Sequence, residues 1–121
     1  DVSRPPDVSY EVKDARPDVL VIDGGVMAVP GAPDLGWDFG FERGQAYACM
    51  SETMMLALEH HYQHFGLGID INVATVSYTK KLAEKHGFKL AGFRSFDRPL
   101  AKEDWESVLA ARQKISEPTA V

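Results

Sequence analysis

The spacing of apolar residues along this chain changes several times, and each change marks a predicted element. Val19-Leu20-Val21-Ile22 is a short continuous apolar run rich in β-branched side chains. That is the pattern of a strand buried on both faces, of the kind found in parallel sheets. Gly24 and Gly25 end the run, and Val26–Val29 reads as a further short strand. Residues 1–18 are interrupted by Pro5, Pro6 and Pro17, and residues 30–44 by Pro30 and Pro33 and by glycines at 31, 36, 40 and 44. Both segments read as loops. Within the second, Trp37, Phe39 and Phe41 alternate with Asp38 and Gly40, which predicts a short strand or an aromatic-anchored loop.

From Gln45 to about Phe65 the spacing becomes helical. Met50, Thr53, Met54, Ala57, Leu58, His61 and Phe65 recur on one face, and no Gly or Pro intervenes before Gly66. A second helix is predicted from Val73 to His86, with Asn72 as its N-cap and Gly87 as the residue that ends it. Phe88–Phe96 reads as a strand or an extended connection. A third helix is predicted from Lys102 to Ile115, with Trp105, Val108, Leu109 and Arg112 on a shared face and a frayed tail from Ser116 onward.

Strands first and helices afterwards predict an α/β chain. Residues 1–44 are expected to form the edge of a parallel sheet of one or two strands. Residues 45–121 are expected to form a helical cap of about three helices. Asp1–Val8 reads as the end of a strand running into a loop, so the chain is read as a C-terminal piece of a longer one.

With 121 residues, the chain is long enough for one modest core, and 45% apolar against 26% charged residues is a globular balance. The net charge of −5 and the scattered Lys and Arg argue against nucleic acid as a partner. A single cysteine cannot form an internal disulfide and fits a reducing cytoplasm. The apolar runs are far shorter than the roughly 20 residues that cross a bilayer. The amphipathic third helix makes a second copy of the chain a candidate partner, and a non-enzymatic helical interaction module one candidate role.

That cysteine, Cys49, lies about one turn into the predicted helix, with Glu52 three residues on. A helix start favours a thiolate, because unpaired N–H groups and the macrodipole stabilise negative charge there. An ionised Glu52 opposes it, whereas a protonated one serves as a proton carrier. The other reading of Cys49 is a small buried hydrophobe. His60 and His64 stand four apart, a spacing used by zinc ligands, but His61 and Tyr62 occupy the place where a zincin motif has its glutamate. An ordinary polar helix end explains them, and no metal is expected. Gly66 and Gly68 lack the third glycine of a dinucleotide loop and follow a helix rather than a strand. Gly24 and Gly25 follow a strand, so they are either a tight turn or a contact to a cofactor held by other residues. Met27, Met50, Met54 and Met55 are core or the lining of an apolar tunnel.

Tyr47-Ala48-Cys49-Met50-Ser51-Glu52-Thr53-Met54, then Tyr62-x-x-Phe65-x-x-Gly68 and Lys85-His86-Gly87-Phe88, resemble the C-terminal region of long-chain acyl-(acyl-carrier-protein) reductases and related dehydrogenases. Val21-Ile22-Asp23-Gly24-Gly25-Val26 is similar to an Asn-Gly-Gly-Val segment of that family, and Asp1-Val2-Ser3-Arg4-Pro5 to the end of one of its Rossmann strands. The resemblance covers roughly residues 1–93 and implies that residues 1–44 are the C-terminal end of a Rossmann-like dinucleotide-binding domain. It implies an NADPH- or NADH-dependent reduction of a fatty acyl thioester, on acyl-carrier protein or CoA, to an aldehyde. Cys49 would carry the acyl group as a thioester, Glu52 would assist, and Gly24 and Gly25 would touch the cofactor. The family's main phosphate-binding loop and acyl-binding region lie upstream of anything in this chain, so the piece alone is expected to be inactive. A dehydrogenase of a small amino-acid-like or shikimate-like substrate, with a structural Cys49, is the alternative.

Overall fold

A computed structural model describes residues 1–3, 6–38, 40–69 and 71–116. Expectations for Arg4, Pro5, Phe39 and the tail beyond Ser116 fall outside these residues. In chain order the elements are α1 (Val12–Ala15), β1 (Val26–Ala28), β2 (Gln45–Tyr47), α2 (Ala48–Leu58), α3 (Val73–His86), β3 (Lys89–Leu90), β4 (Arg94–Ser95), β5 (Arg98–Pro99) and α4 (Lys102–Ser116). The chain is thus mixed α/β with small antiparallel sheets. It divides into two compact units, one formed by Gly25–Ala91 and the other by residues 1–24 with the segment from Gly92 onward.

In the Gly25–Ala91 unit, a three-stranded antiparallel sheet has the order β2-β1-β3. Val26 pairs with Tyr47, Met27 with Ala46, and Ala28 with Gln45, while Met27 and Ala28 face Leu90 and Lys89 on the other side. The sheet buries Val26 and Ala46. Met55 of α2, Leu82 of α3 and Phe88 form the buried centre, with Met27, Val29 and Met54 packed against it. Met27, Met54 and Met55 are therefore core, and Met27 and Met55 also border the cleft described below. α3 begins where Asn72 Oδ1 accepts a hydrogen bond from the Ala74 N–H at 2.7 Å, and ends at Gly87 in the left-handed conformation, as the sequence predicts. At the C-terminal ends of both helices, Glu59 Oε1 accepts from Lys85 Nζ at 2.5 Å and from His86 Nε2 at 2.6 Å. Hydrogen bonds from Lys85, then from His86, hold the Glu59 carboxyl below its ordinary range.

In the other unit, β4 and β5 form a hairpin with Phe96 and Asp97 at its turn, both at positive φ. Positive φ at both central residues is the geometry whose twist suits a two-residue hairpin. Asp23 accepts a hydrogen bond from the Asp97 N–H on Oδ2, and its own N–H donates to the Arg94 carbonyl at 2.8 Å. Before α4, the carboxylate of Asp104 accepts from the Ala101 N–H at 2.8 Å and pairs with Arg98. The carboxylate thus reaches back to the residue before the helix, one half of a capping box. The Arg98 guanidinium holds the Asp104 carboxyl well below the usual carboxylate range.

Three expectations are corrected here. The parallel, Rossmann-like strand at 18–23 does not form: among the described residues every strand pair is antiparallel, and only Asp23 makes a bridge, to Arg94. Val19 is exposed, and Leu20 to Ile22 are half-buried rather than inside a sheet, with Leu20 and Val21 sharing a cleft with Val108 of α4. The helix expected over 45–65 starts and stops late and early. Gln45–Tyr47 pairs with β1, and α2 ends at Leu58 because His60 takes a left-handed conformation, with φ 56°. Finally, the expected face of α4 is mostly open. Trp105 and Leu109 are exposed and only Val108 is half-buried, although Trp105 stacks edge-on against Phe93.

Two outcomes follow from these contacts. Because the folded Glu59 carboxyl titrates below its unfolded value near about 4.3, its bonds stabilise the fold above that pH and lose effect as pH falls through the folded value. A Glu59→Gln variant is expected to melt below the wild type at pH 7, with the gap shrinking as pH falls through the folded value; a gap that stays constant in thermal melts under increasing acidity would count against the clasp. Gly44 sits at φ +76°, and a Cβ there would meet Ala32 Cα at 2.4 Å. Gly44→Ala is therefore expected to cost roughly 2 kcal/mol or more, read from urea unfolding, and an unchanged midpoint would refute this.

Candidate functional site

The site is built at the junction of β2 and α2. Tyr47 is extended, at φ −61° and ψ 149°, and offers no side-chain cap to the helix. The Ala48 N–H donates instead to the Gly25 carbonyl at 2.6 Å, so the sheet itself starts the helix. Cys49 is the second residue of α2, inside the first turn whose N–H groups have no acceptor within the helix. Its side chain is exposed, which removes the reading of Cys49 as a buried hydrophobe.

Cys49 borders an apolar cleft of about 630 Å³ between α2 and α3. Met27 and Met55 line its floor, and Val76, Thr79 and Ala83 of α3 its far wall. Glu52, half-buried, lines the same cleft one turn after Cys49. Residues three apart on a helix are neighbours, so the structure brings the two expected site residues to one place. Glu52 also borders a second cleft of about 390 Å³ with His61, His64 and Phe65. Its Oε1 lies 3.7 Å from where a Cβ on Gly66 would stand.

The glycine pair divides. Gly25 is tied to the start of α2 through its carbonyl, and a Cβ on it would stand 3.7 Å from Ala48 Cβ. Gly24 belongs to the other unit, where a Cβ would meet Val2 Cγ1 at 2.8 Å. Val2 crowds Gly24, whereas the Ala48 contact at Gly25 is an ordinary one, and Gly25 takes a positive φ of 82°. The tight-turn reading accounts for it.

His60 and His64 do not share a helix face, because the helix has ended before them. His60 Nδ1 hydrogen-bonds to the Tyr62 hydroxyl at 3.0 Å, and His61 stacks edge-on with Phe65. Among the described residues, no group of three or more His, Cys, Asp and Glu side chains is arranged to hold a metal ion. The residue that sequence reasoning missed is Ser51. It stands beside the cleft, but its hydroxyl is fully buried and without a partner. Nothing in the spacing singles out a serine between Cys49 and Glu52.

No protein-family model and no solved structure matches the chain. It is 33% identical, over 105 residues, to the aminotransferase PigE of Serratia sp. (strain ATCC 39006). The match takes in 85% of this chain but 12% of that relative, so the chain spans about an eighth of the relative's length. The relative is an enzyme, and by its name a transferase rather than a reductase. Among the described residues no helix is long and apolar enough to cross a membrane.

The exposure of Cys49 has a direct readout. Iodoacetamide is expected to alkylate it in the native chain at a rate within about tenfold of a free thiol, with little gain on adding guanidinium. Labelling that requires unfolding would place the thiol in the interior.

Proposed function

We propose that this chain is the thiol-bearing part of a cytoplasmic NAD(P)H-dependent reductase of fatty acyl thioesters. The observation that carries the reading is Cys49, exposed in the first turn of α2 at the edge of an apolar cleft. In this reading the Cys49 thiolate attacks the thioester carbonyl of an acyl-carrier protein or acyl-CoA. A carbon–sulfur bond forms to the enzyme, and the bond to the carrier sulfur breaks. Glu52 takes the thiol proton and returns it to the departing carrier thiolate, so the step is neutral overall. Met27, Met55 and Val76 cover the acyl chain and keep water from the new thioester. NAD(P)H, when bound, supplies the hydride that releases the acyl group as an aldehyde. Val2 crowds Gly24, and this reading assigns the dinucleotide, and the Rossmann-like sheet, to residues outside this chain.

A second reading rests on the relative's name: the chain is a piece of an aminotransferase in which Cys49 has no chemical part. The exposed position of the thiol favours the first reading. The same exposure weighs against the dehydrogenase of a small polar substrate, which would leave Cys49 structural.

The two readings separate by mass spectrometry. Octanoyl-CoA is expected to leave an octanoyl group on Cys49 in the wild type and none in Cys49→Ala. In the whole protein from which the chain comes, Cys49→Ala is expected to lower aldehyde formation by about a thousandfold or more. Aldehyde production at the wild-type rate without the thiol would remove the proposal.

A further inference from the structure

The cleft beside Cys49 has a direction and an end. Met55 of α2 packs with Leu82 of α3, and one turn further on Glu59 bonds to Lys85 and His86. The two contacts advance along both helices together, so α2 and α3 run the same way and are joined at their C-terminal ends. Cys49 stands at the other end, where the cleft is bordered by Gly68, Ile71 and Asn72 from before α3.

On α2 the cleft is lined by Cys49, Glu52 and Met55, and on α3 by Val76, Thr79 and Ala83. Residues three or four apart share a helix face, so each set is a single stripe. The next position on the α2 stripe is Glu59, and the next on the α3 stripe is His86. These two side chains are hydrogen-bonded to each other at 2.6 Å, with His86 17% and Glu59 21% exposed. Both walls therefore run into one contact, which closes the cleft just past Met55 and Ala83. The distance to that end follows from the helix. Six residues separate Cys49 from Met55 in α2, about 9 Å at a rise of about 1.5 Å per residue. An extended acyl chain advances about 1.25 Å per carbon, given bonds of about 1.5 Å at tetrahedral angles.

We infer that the acyl substrate is of medium length, about eight to ten carbons, and that Ala83 and the Glu59–His86 contact are the specificity determinants that set this limit. This rests on the reading of Cys49 as the acyl acceptor. The carrier stays at the open end beside the exposed thiol, and the chain lies along Met27 and Met55 toward the closed one. Each methylene up to that end removes apolar surface from water. A longer chain has to turn out of the cleft and gains nothing more. The small side chain at 83 leaves room for the last carbons, and a larger one there would take their place.

The test compares acylation of Cys49 by butanoyl-, octanoyl- and dodecanoyl-CoA, each below its micellar concentration and followed by intact mass. With one cysteine in the chain, cysteine adducts report on that thiol alone. In the wild type, octanoyl is expected to transfer about tenfold or more faster than butanoyl, and dodecanoyl within about twofold of octanoyl. Ala83→Leu is expected to bring octanoyl within about threefold of butanoyl, with the butanoyl and iodoacetamide rates unchanged. His86→Ala opens the closed end and is expected to raise dodecanoyl over octanoyl by about threefold or more. The wild-type series stands even if a variant fails to fold. Equal rates for all three thioesters, or a rate that climbs as steeply from octanoyl to dodecanoyl as from butanoyl to octanoyl, overturn the limit and leave acyl transfer intact. A wild-type length preference in both folded variants overturns the roles of Ala83 and His86. The absence of an adduct from any of the three overturns the acyl-transfer reading and this inference with it.

Discussion

The hydrogen bond from the Ala48 N–H to the Gly25 carbonyl fixes the part of the molecule on which the site depends. It joins the end of β2 to the residue before β1, so the last strand pairing and the first helical turn share one constraint. Each end of the bond is held by other contacts. Val26 pairs with Tyr47 on one side, and Met55, about two turns into the helix, packs with Leu82 and Phe88 on the other. With both ends held, the rotation of α2 about its axis is set, and with it the side chains that face the core and the cleft.

The termini of α3 were the most legible part of the fold. Asn72 and Gly87 mark α3 because their chemistry is local: a short side chain accepting an N–H, and a residue that takes positive φ without strain. α4 was legible for the same reason, from charge and spacing within its own length. What stayed hidden depends on partners distant in sequence. Gln45–Tyr47 has helical spacing of its own, yet becomes a strand because Val26–Ala28 offers it a ladder. The run at 18–23 has the composition of a buried strand, but no neighbour forms a ladder with it beyond Asp23. The Phe96-Asp97 turn lacks the glycine that usually announces two positive φ angles, and Asp23, about seventy residues away in sequence, bonds to it. His60 ends α2 well before Gly66, a role that histidine fills more often than most side chains but that nothing in the sequence demands.

The site divides along the same line. Cys49 and Glu52 were legible because three residues on any helix bring side chains together, and the structure keeps that spacing. The pairing of His60 with His64 was not, since it assumed a helix that has already ended. Gly24 and Gly25 illustrate a different limit. Their sequence context fits a cofactor turn, but Gly24 is required by the close approach of Val2 and Gly25 by its positive φ, both known only from the folded chain. Ser51 could not be found from the sequence at all, because an orphaned hydroxyl is defined by what surrounds it.

The misread strand changes the chemistry more than the fold. Were α2 to begin at Gln45, Cys49 would be its fifth residue, and its N–H would bond to the Gln45 carbonyl. The thiol would then lie beyond the turn whose free N–H groups favour negative charge, and that influence falls off within a single turn. By holding Gln45–Tyr47 in the sheet, β1 moves the helix start forward by three residues and makes Cys49 the second residue instead. The same three-residue shift sets Ser51 fourth, where its side chain points back toward the helix start but on the core side. A short antiparallel pairing therefore does what no residue in the Cys49–Glu52 block does alone: it puts the thiol in the helix's first turn, on the open side, and the hydroxyl on the closed one.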